Sequence, residues 1–423
     1  MKLKNYSSAI ILPYKENFST KGFGAVSIWV NSYINYTQKT NEIVFCKKIP
    51  HKDKYLSTNV VPIKLNTNFF TNLNYIKKIN IELIKNKIKI VEVHNRPEYA
   101  IFLIKNNPKL HVNLVFHNDP NHTRGSDDIK KKEFLLNRCN KIIFVSKWVK
   151  KRFFENLNID HKNNTEVIYN FVNLISKFPK KNKTIIFAGK LNSSKGFYIF
   201  CKSLIKILDK YPDWNAEVYG NEQREIFSFH HKRLKINNWI DHKKLLKYYE
   251  KASISVVNPV WQEPFGRTAL ESASRGCAVI TSTSGGLNET FKNNLLLKKN
   301  SVHELSKTLT NLIENEDLLK RIQKENFNNV IHKPQQSIKK LDTLRNPNID
   351  KLIKNNYSLK ILHISNFGEK YNHRIFNLSI ARKLSKGFIR NGHDVIDYDY
   401  RIFRRKIFSN YSIDETILDI SEN

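Results

Sequence analysis

Short apolar runs rich in β-branched residues alternate with longer amphipathic stretches along most of the chain, and this alternation limits the fold more than any other feature. Strand-like runs separated by helix-like segments are typical of a parallel sheet wrapped by helices. The first series comprises Ala9–Leu12, Ile43–Cys46, Lys89–Val93, Asn113–His117 and Lys141–Val145. The pattern therefore predicts an α/β domain of the Rossmann-like kind over residues 1–172.

A second series follows a break in the pattern. Residues 173–183 are rich in Lys, Pro and Asn, and we interpret them as an inter-domain linker. Strand-like runs then recur at Thr184–Ala188, Ala216–Tyr219, Leu234–Asn237, Ser253–Val257, Ala278–Thr281 and Asn294–Leu297. They predict a second Rossmann-like domain over residues 184–345. Because open parallel sheets bind ligands beyond the carboxyl ends of their strands, two facing sheets would create a binding cleft between the domains.

Residues 346–423 begin the same arrangement once more. A strand-like run at Ile361–Ile364 is followed by a helix-like segment at Leu378–Arg390, an Asn391-Gly392 turn and a second strand-like run at Asp394–Tyr398. The segment is shorter than a typical domain. We expect an incomplete β-α-β appendage, to which the sequence assigns no role.

Composition is compatible with two cores and leaves the charge open to two interpretations. The chain has 423 residues, 40% of them hydrophobic, which is enough to fill two globular domains. Its formal net charge of +34 is typical of a protein with a polyanionic partner. Lys, Asn and Ile are abundant throughout, however, as a biased coding composition would also produce. A non-catalytic basic polyanion-binding protein therefore stays an alternative.

The cysteines and the apolar segments bear on compartment. The four cysteines lie far apart without a Cys-x-x-Cys pair, which predicts buried thiols in a reducing compartment and no zinc site. The apolar run at Ala9–Leu12 is much shorter than the core of a signal peptide, and no segment approaches about 18 apolar residues. We expect a cytoplasmic protein, with peripheral contact with an anionic membrane left open.

A loop with two lysines follows the first strand of the second series. Residues 187–196 run from a strand end through a small polar loop into a helix. Gly189 lets the backbone approach a ligand, and the helix start offers free amides to an anion. Lys190 and Lys195 could neutralise a diphosphate without a metal. The alternative is an ordinary strand-to-helix loop with solvated lysines.

Two glutamates follow a later strand of the same series. Glu263 lies in a loop just before a helix that begins near Gly266 or Arg267, and Glu271 lies at least one turn inside that helix. With a rise of about 1.5 Å per helical residue, the carboxylates are too staggered to share one proton. They could contact different parts of one extended ligand. Dipole complementarity for Glu263 and a solvated helix face for Glu271 are the structural alternatives.

A third loop, Ser284–Glu289, is glycine-rich and also follows a strand. Together the three loops resemble the family 4 (group 1) glycosyltransferases, retaining enzymes of the GT-B fold, over roughly residues 8–340 and most strongly over 184–289. The resemblance implies transfer of a sugar from a nucleotide diphosphate sugar to an acceptor hydroxyl, with retention at the anomeric carbon. We expect no metal and no cofactor. The expected partners are the nucleotide sugar and a glycan or lipid-linked acceptor, with no specific nucleic acid.

The resemblance also implies roles for individual residues. Lys190 and Lys195 would bind the donor diphosphate, although Lys190 stands where the family more often has Arg and so lacks the bidentate fork. Glu263, the first residue of an E-x7-E motif, would contact donor-sugar hydroxyls as a catalytic residue, and Glu271 would hold the ribose. Backbone amides at the helix start would face the phosphates, namely those around Phe265, Gly266, Arg267 and Thr268.

In the first domain, Gly22 and Gly24 lie where the family's first glycine-rich loop follows strand one, which implies donor binding. A dinucleotide fingerprint is the alternative interpretation, but Ser27 replaces its third glycine. His117 ends a strand and matches a family histidine near the reacting sugar, so we predict a catalytic role. His94 ends the preceding strand and is an acceptor-side candidate.

Departures from the family pattern limit what the resemblance implies. Phe171 replaces the usual glycine at the linker, and the common Phe-Leu-Gly is absent around Ile236–Ile240, which leaves the base open. Asp397-Tyr398-Asp399 has the spelling of the metal-binding pair of another transferase fold. We interpret it as structural, because it lies in the appendage. A nucleotide-sugar 2-epimerase of similar architecture also stays an alternative. A basic surface would suit assembly of cell-surface polysaccharide or lipid-linked glycans.

Overall fold

The computed structural model divides the chain into two compact units, Met1–Arg345 and Asn346–Asn423. The larger unit contains two parallel sheets, and the smaller one contains a pair of parallel strands. The residues that the structure describes are 8–20, 22, 24–37, 42–65, 69–158, 163–222, 224–225, 227–292, 295–345, 359–367, 379–390 and 393–399.

The first sheet has seven parallel strands in the order β3-β2-β1-β4-β5-β6-β7. Its strands are β1 (Ser8–Ile11), β2 (Glu42–Lys47), β3 (Val60–Ile63), β4 (Ile90–His94), β5 (His111–Phe116), β6 (Lys141–Phe144) and β7 (Thr165–Val167). The helices along it are α1 (Ala25–Tyr36), α2 (Thr71–Lys85), α3 (Pro97–Asn106), α4 (Ile129–Arg138) and α5 (Lys147–Phe154). Central strands such as β4 and β5 are buried along their whole length, because helices cover both faces of the sheet.

The second sheet has six parallel strands in the order β10-β9-β8-β11-β12-β13. Its strands are β8 (Asn182–Ala188), β9 (Asn215–Tyr219), β10 (Leu234–Asn237), β11 (Ala252–Val257), β12 (Ala278–Ser282) and β13 (Leu295–Leu297). The helices that follow in this part of the chain are α6 (Phe197–Lys210), α7 (His242–Lys251), α8 (Arg267–Ser274), α9 (Val302–Glu314), α10 (Glu316–Asn328) and α11 (Pro334–Leu344). Both sheets reverse their strand order beside the first strand, as doubly wound folds do.

Every strand predicted over residues 8–297 overlaps a strand of these two sheets, so the α/β fold with two Rossmann-like domains is confirmed. The sequence pattern missed β3. This strand contains Pro62, which lies opposite Cys46 of β2. A proline cannot donate to a strand ladder and is tolerated at an edge. Because β3 is the edge strand, Pro62 is compatible with the sheet although it obscures the strand signal.

The helix α11 packs against the first domain. The sequence interpretation grouped it with the second domain, which it follows in the chain. Its apolar residues Ile338 and Leu341 are three positions apart on one face and join the core that contains Trp29 and Tyr33 of α1. The Tyr33 hydroxyl donates to Asp342 Oδ1 at 2.6 Å. The end of this unit therefore returns to the domain with which it began.

The smaller unit has the predicted β-α-β order, with β14 (Lys360–Ser365), α12 (Ile380–Arg390) and β15 (Asp394–Asp399). Its Asn391-Gly392 turn and the predicted helix start at Leu378 lie outside the described residues. Arg382 donates to Asp397 at 3.3 Å, and the Phe367 amide donates to Asp399 at 3.1 Å. Both carboxylates of the Asp-x-Asp pair are thus engaged by protein groups. Within the described ranges no group of three or more His, Cys, Asp or Glu side chains is arranged to hold a metal ion.

Two further expectations concern the cysteines and membrane-spanning segments. All four cysteines are buried and free, as predicted. Burial raises the pKa of the Cys46 thiol, and likewise that of Cys201, to about 12. Among the helices that the structure describes, none combines the length and apolar character needed to cross a membrane.

Candidate active site

The loops that the sequence singled out follow β8, β11 and β12, which are neighbours in the second sheet. The Lys195 ammonium donates to Glu263 Oε2 at 2.6 Å, and Trp261 Nε1 donates to the same oxygen at 3.0 Å. The ammonium also lies 4.6 Å from the centroid of the Trp261 ring. The structure therefore brings the predicted phosphate-binding lysine and the predicted sugar-binding carboxylate into direct contact. Sequence reasoning missed Trp261, although an aromatic residue two positions before Glu263 was a usable signal.

The turn that carries Lys195 is organised by Asn192. Its Oδ1 accepts a hydrogen bond from the Lys195 amide at 3.0 Å, the local arrangement that asparagine favours in turns. At the start of the same loop, the Gly189 amide donates to Tyr219 O at 3.0 Å. Lys190 follows it with an exposed side chain. The loop thus directs Lys195 to Glu263 and leaves Lys190 in solvent.

Glu271 forms a separate, buried cluster. Its Oε1 accepts hydrogen bonds from Arg267 Nε at 2.6 Å and His242 Nε2 at 2.8 Å, assigned with the imidazole as donor. The side chain is only 3% exposed, so the solvated-face alternative for Glu271 is wrong. Burial alone would raise its pKa, but His242 and Arg267 lower the pKa of Glu271 to about 2. His242 begins α7, and no feature of the sequence linked it to Glu271.

The N-terminus of α8 has a free donor. Gly266 precedes the helix with φ 93°, and a Cβ there would lie 2.2 Å from Leu287 Cδ1, so only glycine fits. The Phe265 side chain is buried in the core, so it is not available to a ligand, while Thr268 is half-buried. Arg267 Nη1 is buried and has no hydrogen-bond partner among the described residues. An anionic ligand would satisfy this donor and complement the helix dipole.

The glycine-rich turn after β12 holds the Glu263 loop in place. The Gly286 amide donates to Glu263 O at 2.8 Å. A Cβ at Gly286 would lie 2.2 Å from Pro264 O and 2.7 Å from Ser146 Oγ. This close approach requires glycine, and it positions the backbone at Glu263 and Pro264.

Glu289, at the end of the same turn, bonds across to the first domain. Its two carboxylate oxygens accept from the amides of Lys147 and Trp148, each at 2.8 Å, at the start of α5. The Tyr169 hydroxyl donates to the same carboxylate at 2.9 Å. A carboxylate at a helix N-terminus is favoured by the dipole. Glu289 thereby joins the two domains beside the candidate site, a role that sequence reasoning did not assign to it.

On the first-domain side, the structure brings the two predicted histidines together. His94 Nδ1 lies 2.9 Å from His117 Nε2, and the Trp29 ring packs against both imidazoles. His117 is half-buried. Burial, then His94, and to a smaller degree the nearby Arg267 charge hold the pKa of His117 below its ordinary value. His94, by contrast, is fully buried, so the structure does not place it where an acceptor could touch it.

The predicted glycine-rich loop of the first domain contains an acidic side chain. Gly24 precedes α1, and Gly22 has φ 68°. Glu16 Oε1 accepts a hydrogen bond from the Ser27 amide at 2.9 Å, in the first turn of α1. Lys21 and Phe23 lie outside the described residues. The structure thus places a carboxylate at the helix start where the sequence predicted donor binding.

The family model described as Glycosyl transferases group 1 matches residues 174–329, which include the Lys195, Glu263 and Glu271 clusters. These residues belong to the group 1 glycosyltransferases. Sugar transfer from a nucleotide sugar is the activity that goes with this family.

A similar protein agrees with this match, and similar solved structures show the fold. The Bacillus subtilis (strain 168) protein YtcC is 23% identical over 251 residues, which cover 52% of this chain and 61% of YtcC. A sucrose-phosphate synthase from Thermosynechococcus elongatus has a TM-score of 0.63 at 14% identity, covering 82% of this chain and 99% of that one. Anabaena HepE, in complex with UDP-glucose, has a TM-score of 0.60 at 14% identity, covering 79% and 99%. The chain has the GT-B fold that the sequence predicted.

Proposed function

We propose that the chain transfers a glycosyl group from a nucleotide diphosphate sugar to an acceptor hydroxyl, with retention at the anomeric carbon and without a metal. The observation that carries the proposal is the contact between Lys195 and Glu263 beside the N-terminus of α8. One ligand with a diphosphate and a sugar would engage both groups. HepE binds UDP-glucose, and this supports a UDP-sugar as the donor class to test first.

Charge on the departing diphosphate is the main demand on such a site. Lys195, the unpartnered Arg267 Nη1 and the positive end of α8 would stabilise it electrostatically. In the structure Lys195 is neutralised by Glu263. Donor binding would separate this pair, the phosphate taking Lys195 and the sugar hydroxyls taking Glu263. The same two side chains therefore recognise the two ends of the scissile bond.

Glu92, the carboxylate that contacts His94 on the His117 side, is unsuited to be a nucleophile. Glu92 is 2% exposed, lies behind His94, and is held by Arg345. This supports a reaction in which the acceptor attacks from the face that the diphosphate leaves. The bond from the anomeric carbon to the diphosphate oxygen breaks, the bond to the acceptor oxygen forms, and the acceptor proton passes to the departing diphosphate.

Calorimetric titration with a panel of nucleoside diphosphates and nucleotide sugars tests the donor site. Lys195→Met should weaken the affinity for the preferred nucleotide sugar by about 10-fold to 100-fold, the value of a hydrogen bond to a charged group. Lys206→Met removes the same charge from the exposed surface of α6 and should leave the affinity unchanged. Equal affinities of the two variants, or no nucleotide binding by the wild type, would refute the proposal.

Product analysis separates transfer from epimerisation. With a labelled nucleotide sugar and an acceptor extract, transfer releases the nucleoside diphosphate and gives a glycoside whose anomeric configuration is read by NMR. A retained configuration is expected. An interconverted nucleotide sugar formed without any acceptor would instead identify an epimerase.

We also propose that the acceptor is a cell-surface polysaccharide or lipid-linked glycan reached at an anionic membrane. The observation is an exposed apolar stripe on α2 and the residues before it. Its members are large hydrophobic side chains that are exposed to solvent: Phe69, Phe70, Leu73, Ile81 and Ile84. Exposed lysines at positions 77, 78 and 85 lie among and beside these side chains. Apolar side chains flanked by cations are the chemistry that anionic bilayers bind.

Vesicle co-sedimentation tests this surface. The wild type should bind vesicles of phosphatidylcholine mixed with phosphatidylserine, and binding should fall with added salt. Ile81→Gln/Ile84→Gln should weaken binding at least about tenfold, because two apolar side chains no longer enter the bilayer. Ile129→Gln, an exposed isoleucine on α4, is the matched control and should bind as the wild type does. Equal binding to phosphatidylcholine alone, or no effect of the α2 variant, would overturn the assignment.

A further inference from the structure

A buried row of side chains leads from the end of the larger unit to His117. His94 Nε2 lies 2.7 Å from Glu92 Oε1, and its other ring nitrogen, Nδ1, lies 2.9 Å from His117 Nε2. Glu92 and His94 are 2% and 0% exposed. His117 is therefore the end of a row whose other members are shielded from solvent.

Arg345 holds the far end of this row. Its Nε donates to Glu92 Oε2 at 2.7 Å, and a second guanidinium nitrogen donates to Glu92 Oε1. The guanidinium also pairs with Glu42 at 3.2 Å and lies 3.7 Å from the centroid of the Tyr33 ring. Burial opposes ionisation, but Arg345 and His94 keep the pKa of Glu92 well below its ordinary value. Glu92 is therefore a carboxylate that can only accept hydrogen bonds.

An ionised Glu92 determines the protonation of both imidazoles. Since Glu92 Oε1 accepts, His94 Nε2 must carry a proton. In neutral His94 the remaining nitrogen, Nδ1, is then an acceptor, so His117 Nε2 must donate to it. A neutral His117 with its proton on Nε2 has a lone pair on Nδ1. The tautomer of His117 thus follows from the charge of Glu92, which lies two side chains away.

We propose that Glu92 and Arg345 are positioning residues, which act through His94 to hold His117 as the Nε2-protonated tautomer with Nδ1 ready to accept a hydrogen bond from a substrate hydroxyl. The effect on turnover rests on the proposed sugar transfer. The tautomer itself is a property of the protein without substrate.

Replacement of Glu92 by glutamine should reverse the direction of the hydrogen bonds along this row. Arg345 donates to both oxygens of Glu92, so the introduced amide must give up one of these two bonds. We expect its oxygen to keep the bond from Arg345 Nε, because the NH₂ group then lies beside His94 Nε2, which can accept a hydrogen bond from it. The NH₂ group of that amide would then point to His94 Nε2 and make this nitrogen an acceptor. His94 would carry its proton on Nδ1 and donate to His117, which would then present an N–H to the substrate in place of a lone pair.

NMR of the protein with ¹⁵N-labelled histidine measures both tautomers without any substrate. In the wild type we expect His94 and His117 to be protonated on Nε2, and in Glu92→Gln on Nδ1. The matched control is Glu42→Gln, which changes the other carboxylate partner of Arg345 but has no contact with His94, and it should keep the wild-type tautomers. The wild-type spectrum tests the proposal even if a variant does not fold.

Kinetics supply the second readout. Glu92→Gln should lower kcat by about 10-fold to 100-fold, the usual effect of removing a partner behind a catalytic group, and change the KM for the nucleotide sugar less than about threefold. A wild-type His117 protonated on Nδ1, a cationic His94, or unchanged tautomers in Glu92→Gln would overturn the proposal. If the tautomers respond as expected but no nucleotide sugar is turned over, the positioning stands and the proposed function fails.

Discussion

Replacing Glu271 by glutamine tests how much the buried cluster with Arg267 and His242 depends on ionisation. The pKa of Glu271 falls from its ordinary 4.5 to about 2 on folding. Since one pKa unit corresponds to about 1.4 kcal/mol, this shift stabilises the folded state by about 3 kcal/mol at pH 7. Because the pKa is lower in the folded state, this stabilisation is present above about pH 4.5 and is lost as the pH falls toward 2. The neutral variant lacks it at every pH.

Urea unfolding of the wild type and Glu271→Gln should therefore show a difference in the free energy of unfolding that becomes smaller at low pH. We expect about 3 kcal/mol at pH 7 and about 2 kcal/mol at pH 3.5, compared at equal m-values. Glu263→Gln makes the same chemical change in the half-buried pair with Lys195 and should cost about 1 kcal/mol or less at pH 7. A gap for Glu271→Gln that stays constant from pH 7 to 3.5 would refute the reasoning, because the loss would then come from packing alone.

Three further changes test the surroundings of the site. Glu289→Gln should lower the free energy of unfolding, measured in urea, by about 1 kcal/mol, because the negative charge at the start of α5 is lost. Small-angle scattering should show a wider spread of domain separations, and an unchanged scattering profile would contradict the linking role of Glu289. Gly286→Ala should weaken nucleotide-sugar binding by at least about tenfold, because a Cβ 2.2 Å from Pro264 O must displace the Glu263 loop; wild-type affinity would show that the loop adapts. Ellman's reagent should leave the four buried thiols unreacted in the native protein and label them rapidly in urea, and fast native labelling would contradict their burial.

The two parallel sheets could be predicted because their strands are buried on both faces, so they read as continuous apolar runs with helices between them. The same periodicity could not show where α11 packs. Apolar residues at Ile338 and Leu341 predict a buried helix face, but they do not name the partner, which is α1 at the start of the chain. Local pattern thus indicates what an element buries, whereas its location depends on contacts distant in sequence.

The candidate site likewise combines features that the sequence shows with contacts that it does not show. The loop with Lys195 and the loop with Glu263 were each visible, because each follows a strand and carries polar residues at a helix start. Their direct contact joins residues 68 positions apart and follows only from the order of β8 and β11 in the sheet. The contact of His242 with Glu271 and the donors to Glu289 were not visible, since a lone His242 or the amide of Lys147 has no signature in the sequence.

The polar contacts that escaped sequence reasoning are also those that connect the chemistry to the fold. Arg345 lies 253 positions from Glu92 and directly follows α11, so the return of this helix to the first domain brings a guanidinium beneath His94. A buried carboxylate without that guanidinium would be neutral and would donate a proton in place of accepting one. His117 then would present the opposite hydrogen-bonding character to its ligand. The packing of α11 against the first domain therefore contributes to the protonation state of a histidine in the candidate site.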